Sequence, residues 1–330
     1  MYDGLFNSRS ERCVIEKSNK PIFICYLYLL QTSFHLQPIL SIQNISKSYG
    51  PVQALKDVSF DVPEGSVFGV LGPNGSGKTT MLGVILDVLL ADGGKYSWFG
   101  GMPNEQARRQ IGSLLETPNF YHYLSAFDNL EITAAIRRKG NDDRLRVLGL
   151  VGLTERKDSK FQTYSLGMKQ RLAIGAALLG SPKVLVLDEP TNGLDPAGIA
   201  EIRDLIRKLN KEGITIIIAS HLLDEIEKVC THVAILKRGT LLLHGPVDEA
   251  LRSEDQVEVR AADMAGLESA LRNMPGVARL KLVDGTLQLT CTGETGTAAI
   301  NEYCMGKGIV LSHLVLKKKS LESKFMELTG

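Results

Sequence analysis

This chain is short of cysteine and of any excess of one charge, and each shortage removes a class of protein. Its five cysteines, Cys13, Cys25, Cys230, Cys291 and Cys304, are odd in number and scattered, with no C-x-x-C pair. Neither a disulfide framework nor a zinc site follows from that spacing, and a reducing cytoplasm fits it. Thirty-eight basic residues against 37 acidic ones leave a formal net charge of +1, which excludes a nucleic-acid binder working through bulk charge. No apolar run reaches the ~18 residues of a membrane span. The run Ile22–Leu30, preceded by Arg9, Arg12, Lys17 and Lys20, has the outline of a signal peptide but no small-residue cleavage site. Residues 1–37 are therefore read as an irregular extension. Internal repeats and low-complexity segments are also missing.

What remains is an ordinary globular composition, 44% hydrophobic and 23% charged over 330 residues, enough for about two domains. From Ile39 the pattern turns periodic. Ile39–Ile45 and Val58–Val62 alternate as strands, and Ser66–Leu71, Lys183–Leu187 and Ile214–Ser220 are continuous apolar runs expected of strands buried on both faces. Short strands are expected at Tyr96–Phe99 and Ile111–Leu115. Helices are expected from Lys78, within Leu124–Leu153 with a break at Gly-Asn-Asp-Asp, over Gly167–Leu179, and from Pro196 to a stop at Gly213. From His232 a hairpin turns at Arg238-Gly239. Strands alternating with helices give an α/β core with a mainly parallel sheet, and the two early strands give an added antiparallel layer. Beyond Gly245 the order is β-α-β-β-α-β, with an Asp284-Gly285 hairpin turn and a final helix in SLESKFMELTG. Residues 38–245 thus read as a nucleotide-binding domain and 246–330 as a small α+β ferredoxin-like domain.

The chemistry starts in the stretch Gly72, Pro73, Asn74, Gly75, Ser76, Gly77, Lys78, Thr79, Thr80. It satisfies G-x-x-x-x-G-K-[ST], follows an apolar strand and opens a helix, the context that a phosphate loop requires. Glycines let backbone N–H groups cradle phosphate oxygens, Lys78 reaches the β and γ phosphates, and the Thr79 hydroxyl binds magnesium. Asp188 ends the buried strand at Leu187, a place for a magnesium-coordinating carboxylate, and Glu189 after it is placed to orient or deprotonate the attacking water. Alone, an Asp-Glu pair is as often a solvated loop; beside a phosphate loop it is not.

These motifs, together with Tyr164-Ser165-Leu166-Gly167-Met168, resemble the nucleotide-binding subunit of an ATP-binding-cassette (ABC) transporter, over Ile39 to Gly245. The resemblance implies a P-loop NTPase core with a helical signature subdomain, and ATP and Mg2+ as cofactors. It makes Ser165, Leu166, Gly167 and Met168 a signature loop presented to the ATP of the opposite subunit, with Ser165 and Gly167 at the contacting positions. Leu166 and Met168 depart from the common LSGGQ form. The resemblance also makes Asp195 part of a dimer-communication loop, His221 a γ-phosphate contact, and Tyr49 an adenine platform, for which a packed turn tyrosine is the alternative. Where the family carries a glutamine on a magnesium-contacting loop, this chain has Glu116, as do relatives that export bacitracin and lantibiotics; a harmless substitution is the other reading.

The aromatic run Phe120-Tyr121-His122-Tyr123 falls where the family receives the coupling helix of its membrane subunit, near Glu116–Leu124, though these side chains equally suit a core. Lys317-Lys318-Lys319 reads as a solvated strand end. The expectation is a drug or peptide-antibiotic exporter's ATPase, a homodimer or heterodimer of nucleotide-binding subunits. It would work with a membrane-spanning permease, without nucleic acid, in the cytoplasm and peripheral on the inner face of the cell membrane. The alternative is a soluble ABC ATPase acting on ribosomes or DNA.

Overall fold

The computed structural model describes residues 37–115, 119–251, 256–291, 296–317 and 321–329. Three apolar runs form the middle of its main sheet: β3 (Val67–Leu71), β6 (Val184–Asp188) and β7 (Thr215–Ser220), buried at every residue. With β5 (Ile111–Leu114), β8 (His232–Lys237) and β9 (Thr240–Pro246) they give the order β5-β6-β7-β3-β8-β9. All neighbours are parallel except the β8–β9 hairpin. The parallel order brings the C-terminal ends of β3, β6 and β7 side by side, which is where ligands bind in sheets of this kind.

A second, antiparallel sheet, β2-β1-β4, is built from β1 (Leu40–Tyr49), β2 (Val52–Val62) and β4 (Gly93–Trp98). One apolar cluster fills the space between this layer, the main sheet and helix α1 (Lys78–Ile85). In it Phe60 and Phe68 stack at 5.2 Å, and the indole N–H of Trp98 donates to the Ile85 carbonyl at 2.7 Å. After a five-residue helix α2 (Asn104–Arg108) and strand β5, three helices build a helical region on the other face. They are α3 (Ala126–Arg137), α4 (Arg144–Leu150) and α5 (Leu166–Leu178). Ser125 and Asp128 close a capping box on α3. The break between α3 and α4 is held by Asp143, whose carboxylate accepts both guanidinium N–H groups of Arg146 and the Gly180 N–H, each at 3.0 Å.

Helix α6 (Pro196–Lys211) begins with proline at its first turn, is capped by Asp195 at 3.0 Å from the Gly198 N–H, and buries Ile202, Leu205, Ile206 and Leu209 against the sheet. Helices α7 (Leu223–Val229) and α8 (Val247–Leu251) are short. None of the described helices is long and apolar enough to cross a membrane.

The C-terminal strands form a separate antiparallel sheet, β11-β12-β10-β13, from β10 (Gln256–Ala261), β11 (Val277–Val283), β12 (Thr286–Cys291) and β13 (Leu311–Lys317). Helices α9 (Met264–Arg272) and α10 (Thr297–Gly306) cover one face, over a core of Val257, Val259, Leu267, Leu271, Leu287, Leu289 and Ile300. This is the ferredoxin-like strand order. Asp284 and Gly285 both have positive φ, 47° and 73°, as a two-residue hairpin turn requires. The last helix, α11 (Leu321–Thr329), leaves this core, and its Leu321 is buried in that of the larger unit, as is Val247.

Candidate functional site

The loop between β3 and α1 needs its glycines. Gly77 has φ 105°, and a Cβ there would lie 2.5 Å from the Ala54 carbonyl oxygen of β2, so a side chain would push the antiparallel layer off the loop. Gly77 also caps α1 without a side-chain acceptor, leaving the first N–H groups of that helix open to an anion. Inside the loop the Ser76 hydroxyl is buried and has no hydrogen-bond partner among the described residues.

Lys78, 6% exposed, donates to the carbonyls of Gly72 at 2.7 Å and Pro73 at 3.3 Å, and its ammonium stands 3.6 Å from Glu189 Oε1. The Thr79 hydroxyl donates to Asp188 Oδ2 at 2.8 Å. The structure thus joins the loop to the end of β6, 109 residues away. Glu189, in the left-handed region at φ 46°, fixes its own backbone by donating to the Ala219 carbonyl at 2.9 Å. Its second oxygen lies 2.9 Å from His221 Nδ1. A carboxylate only accepts, so Nδ1 carries the hydrogen and Nε2 is the free ring nitrogen. One carboxylate therefore ties the phosphate-loop lysine to the histidine beyond β7.

Lys78, Thr79 and Glu189 line a cleft of about 630 Å³ together with Tyr49, Asn74, Gly75, Ser76, Gly77 and Thr80, and Asp188 and His221 are hydrogen-bonded to its wall through Thr79 and Glu189. Tyr49, 47% exposed at the end of β1, presents a free ring face, with the Lys47 ammonium 5.7 Å from its centroid. Lys56 and Arg238 line the same cleft, and sequence reasoning assigned neither. Arg238 forms no hydrogen bond or ion pair among the described residues. Its turn is stitched to the site, since the Gly239 N–H donates to the Ser76 carbonyl at 2.9 Å and the Gly239 carbonyl accepts from the Lys56 N–H at 2.8 Å. The single sequence signal was the Arg-Gly turn itself, which does not say what the turn faces.

Ser165 does not line this cleft. It caps α5, its hydroxyl accepting from the Met168 N–H at 3.2 Å. Ser165 and Leu166 are exposed, and Met168 packs on the core. The turn instead leans on the loop before α6, where the Leu166 side chain sits 3.4 Å from the Cβ position of Gly193, two residues before Asp195. Glu116 lies outside the described residues, as do Lys318 and Lys319. The aromatic run divides. Phe120 packs edge-on to Phe161 at 5.1 Å and lines a groove with Tyr121, which is 50% exposed, while Tyr123 is 65% exposed.

A phosphate loop, a hydroxyl–carboxylate pair and a glutamate–histidine pair at the C-terminal edge of one parallel sheet define a nucleotide-hydrolysing cassette. The comparisons with known proteins agree. The ABC transporter family pattern matches residues 55–192. The chain is 38% identical over 300 residues to the ABC transporter ATP-binding protein YdbJ of Bacillus subtilis, across 89% of this chain and 96% of that one. It is 33% identical to the bacitracin transport ATP-binding protein BcrA of Enterococcus faecalis, across 89% and 97%. Among solved structures it resembles CbiO1 of Clostridium perfringens, part of the ABC transporter complex CbiONQ. The TM-score is 0.59 and the identity 29%, over 72% of this chain and 96% of that one. The chain belongs to the ATP-binding proteins of ABC transporters. It is an ATP-hydrolysing enzyme whose nucleotide cycle drives a membrane transporter, and such a subunit implies a permease partner.

Proposed function

We propose that this chain is the ATPase of an exporter, working as a head-to-tail dimer in which each ATP lies between one subunit's phosphate loop and the other's Ser165 turn. One observation carries the reading. Lys78, Thr79 and Glu189 line the cleft, Asp188 and His221 are hydrogen-bonded to Thr79 and Glu189, and among the described residues the exposed Ser165 turn lies outside the cleft and bonds to none of these groups. Adenine stacks on Tyr49, and the Ser76 hydroxyl and the α1 N–H groups meet phosphate oxygens. Glu189 takes the proton of the attacking water, and His221 Nε2 faces the γ-phosphate. Ser165 and Gly167 complete the partner's site, with Asp195 on the loop between the two.

Thr79 and Asp188 supply a hydroxyl and a carboxylate, hard oxygen donors suited to magnesium held jointly with substrate phosphates. Among the described residues no cluster of three or more protein ligands competes with that arrangement. Bound there, the ion neutralises charge on the β and γ phosphates; Glu116 is the further candidate ligand. The groove lined by Phe120 and Tyr121 receives the permease's coupling helix, with the chain at the inner face of the membrane. Identity to a bacitracin transport protein over nearly its whole length supports a peptide-antibiotic or drug cargo. Residues 38–245 form the cassette, 246–330 an appended unit that dimerises or regulates, and 1–37 an extension.

Mixing tests the arrangement. Lys78→Ala and Ser165→Arg chains are each expected to be inactive. Their equimolar mixture regains about a quarter of wild-type hydrolysis, because half of the dimers then hold one complete site. A mixture as inactive as its components would refute the shared site.

A further inference from the structure

The C-terminal helix returns to the elements around His221. Leu321, fully buried at the start of α11, donates its backbone N–H to Glu227 Oε2 at 2.9 Å. Glu227 belongs to α7, which begins two residues after His221. A carboxylate at the first turn of a helix satisfies an otherwise unpaired N–H and complements the helix dipole. One turn later, on the same face, Phe325 packs against the larger unit's core beside Leu223. Phe325, Leu223 and His221 line one cavity of about 290 Å³ together with Gly72, Pro73 and Asn74 of the phosphate loop.

The segment carrying His221 has few other restraints. Between β7 and α7 it is closed by one short turn, in which the Leu222 N–H donates to the Ser220 hydroxyl at 3.0 Å. Helix α7 spans seven residues with no side-chain cap at its start, too short to persist without tertiary support. Support comes from β3, where Ile226 is buried against Gly69, from α6, through Arg203 to Glu225 at 3.2 Å and Arg207 to the Lys228 carbonyl at 2.7 Å, and from α11. Glu189 orients the imidazole through Nδ1, but where the ring sits depends on α7.

We propose that Phe325 is a positioning residue for His221, so that the last helix of the chain sets the geometry at the γ-phosphate end of the site. The small C-terminal unit, which holds no metal-ligating cluster among its described residues, gains through α11 a lever on hydrolysis. The proposal rests on His221 contacting the γ-phosphate.

The test is single-turnover hydrolysis by the full chain, with enzyme in excess. Phe325→Ala is expected to slow hydrolysis by about ten- to a hundredfold, up to the scale of a catalytic group misplaced by about 1 Å, while the affinity for ATP stays within about twofold because the phosphate cradle and Tyr49 are untouched. Phe325→Leu, which keeps apolar bulk, restores most of the rate. In a His221→Ala background Phe325→Ala costs less than about a further twofold, since both changes act on one group. Independent, multiplying losses would overturn the proposal, as would a loss of ATP affinity equal to the loss of rate. If Phe325→Ala does not fold, Glu227→Ala, which removes the acceptor from the first turn of α11, carries the same comparison. A His221→Ala chain with the wild-type rate sinks the reading of His221 and the lever with it. A slow His221→Ala chain with multiplying losses sinks the lever alone.

Discussion

Replacing Glu189 with glutamine isolates one charge in the site. The side chain keeps its size, and its amide oxygen still accepts from His221 Nδ1, now 2.9 Å from the carboxylate. It can no longer take a proton. Removing a general base costs about 10²–10⁴-fold in rate, so kcat should fall by at least about a hundredfold. Binding should move the other way. Lys78 loses the carboxylate 3.6 Å away that competes with phosphate for its ammonium. A contact between groups 6% and 23% exposed contributes at most about 1 kcal/mol net, or about fivefold in affinity. ATP is therefore expected to bind as tightly as to wild type or up to about fivefold tighter. Phosphate release and an equilibrium titration with a labelled ATP analogue measure the two quantities. Hydrolysis within threefold of wild type, or weaker ATP binding, would refute this account of Glu189.

Two further outcomes follow from residues outside the motifs. Arg238→Ala should weaken ATP binding about three- to tenfold with kcat unchanged, the mark of an interaction made equally in ground and transition states, and titration at two salt concentrations should show a shallower dependence. Asp143, held below its ordinary value of 3.8 chiefly by its hydrogen bond to Arg146, stabilises the joint between α3 and α4. A depressed native value means that this stability is complete above the usual carboxylate range and is lost as pH falls through it. Asp143→Asn should therefore lower Tm by about 2–4 °C at pH 7, for a loss of about 1 kcal/mol, with the difference from wild type shrinking as the pH falls below the usual carboxylate range; the lone tryptophan, Trp98, reports the transition by fluorescence.

Legibility in the sequence followed burial and length. Strands β3, β6 and β7 showed as unbroken apolar runs because both their faces are covered, and α6 announced itself by a proline start, an apolar stripe and a glycine stop. Helices α2, α7 and α8, of five to seven residues, did not show, since so few turns carry no readable period. In the site, Lys78, Asp188 and Glu189 stood out through local context alone. Arg238 and Lys56 reach the cleft only because β8 lies beside β3 and β2 folds over the loop, pairings between distant segments. Likewise, SLESKFMELTG reads as a last helix, but nothing local says that Leu321 and Phe325 lie against the larger unit beside α7.

The backbone of Glu189 has a bearing on how this protein changes under selection. A glutamate held at φ 46° carries about 1–2 kcal/mol of conformational strain that glycine would not. A screen for heat tolerance alone would favour glycine at position 189, whereas a screen for turnover would forbid it. Lineages kept hot but released from transport should drift to a sturdier, silent cassette at this one codon.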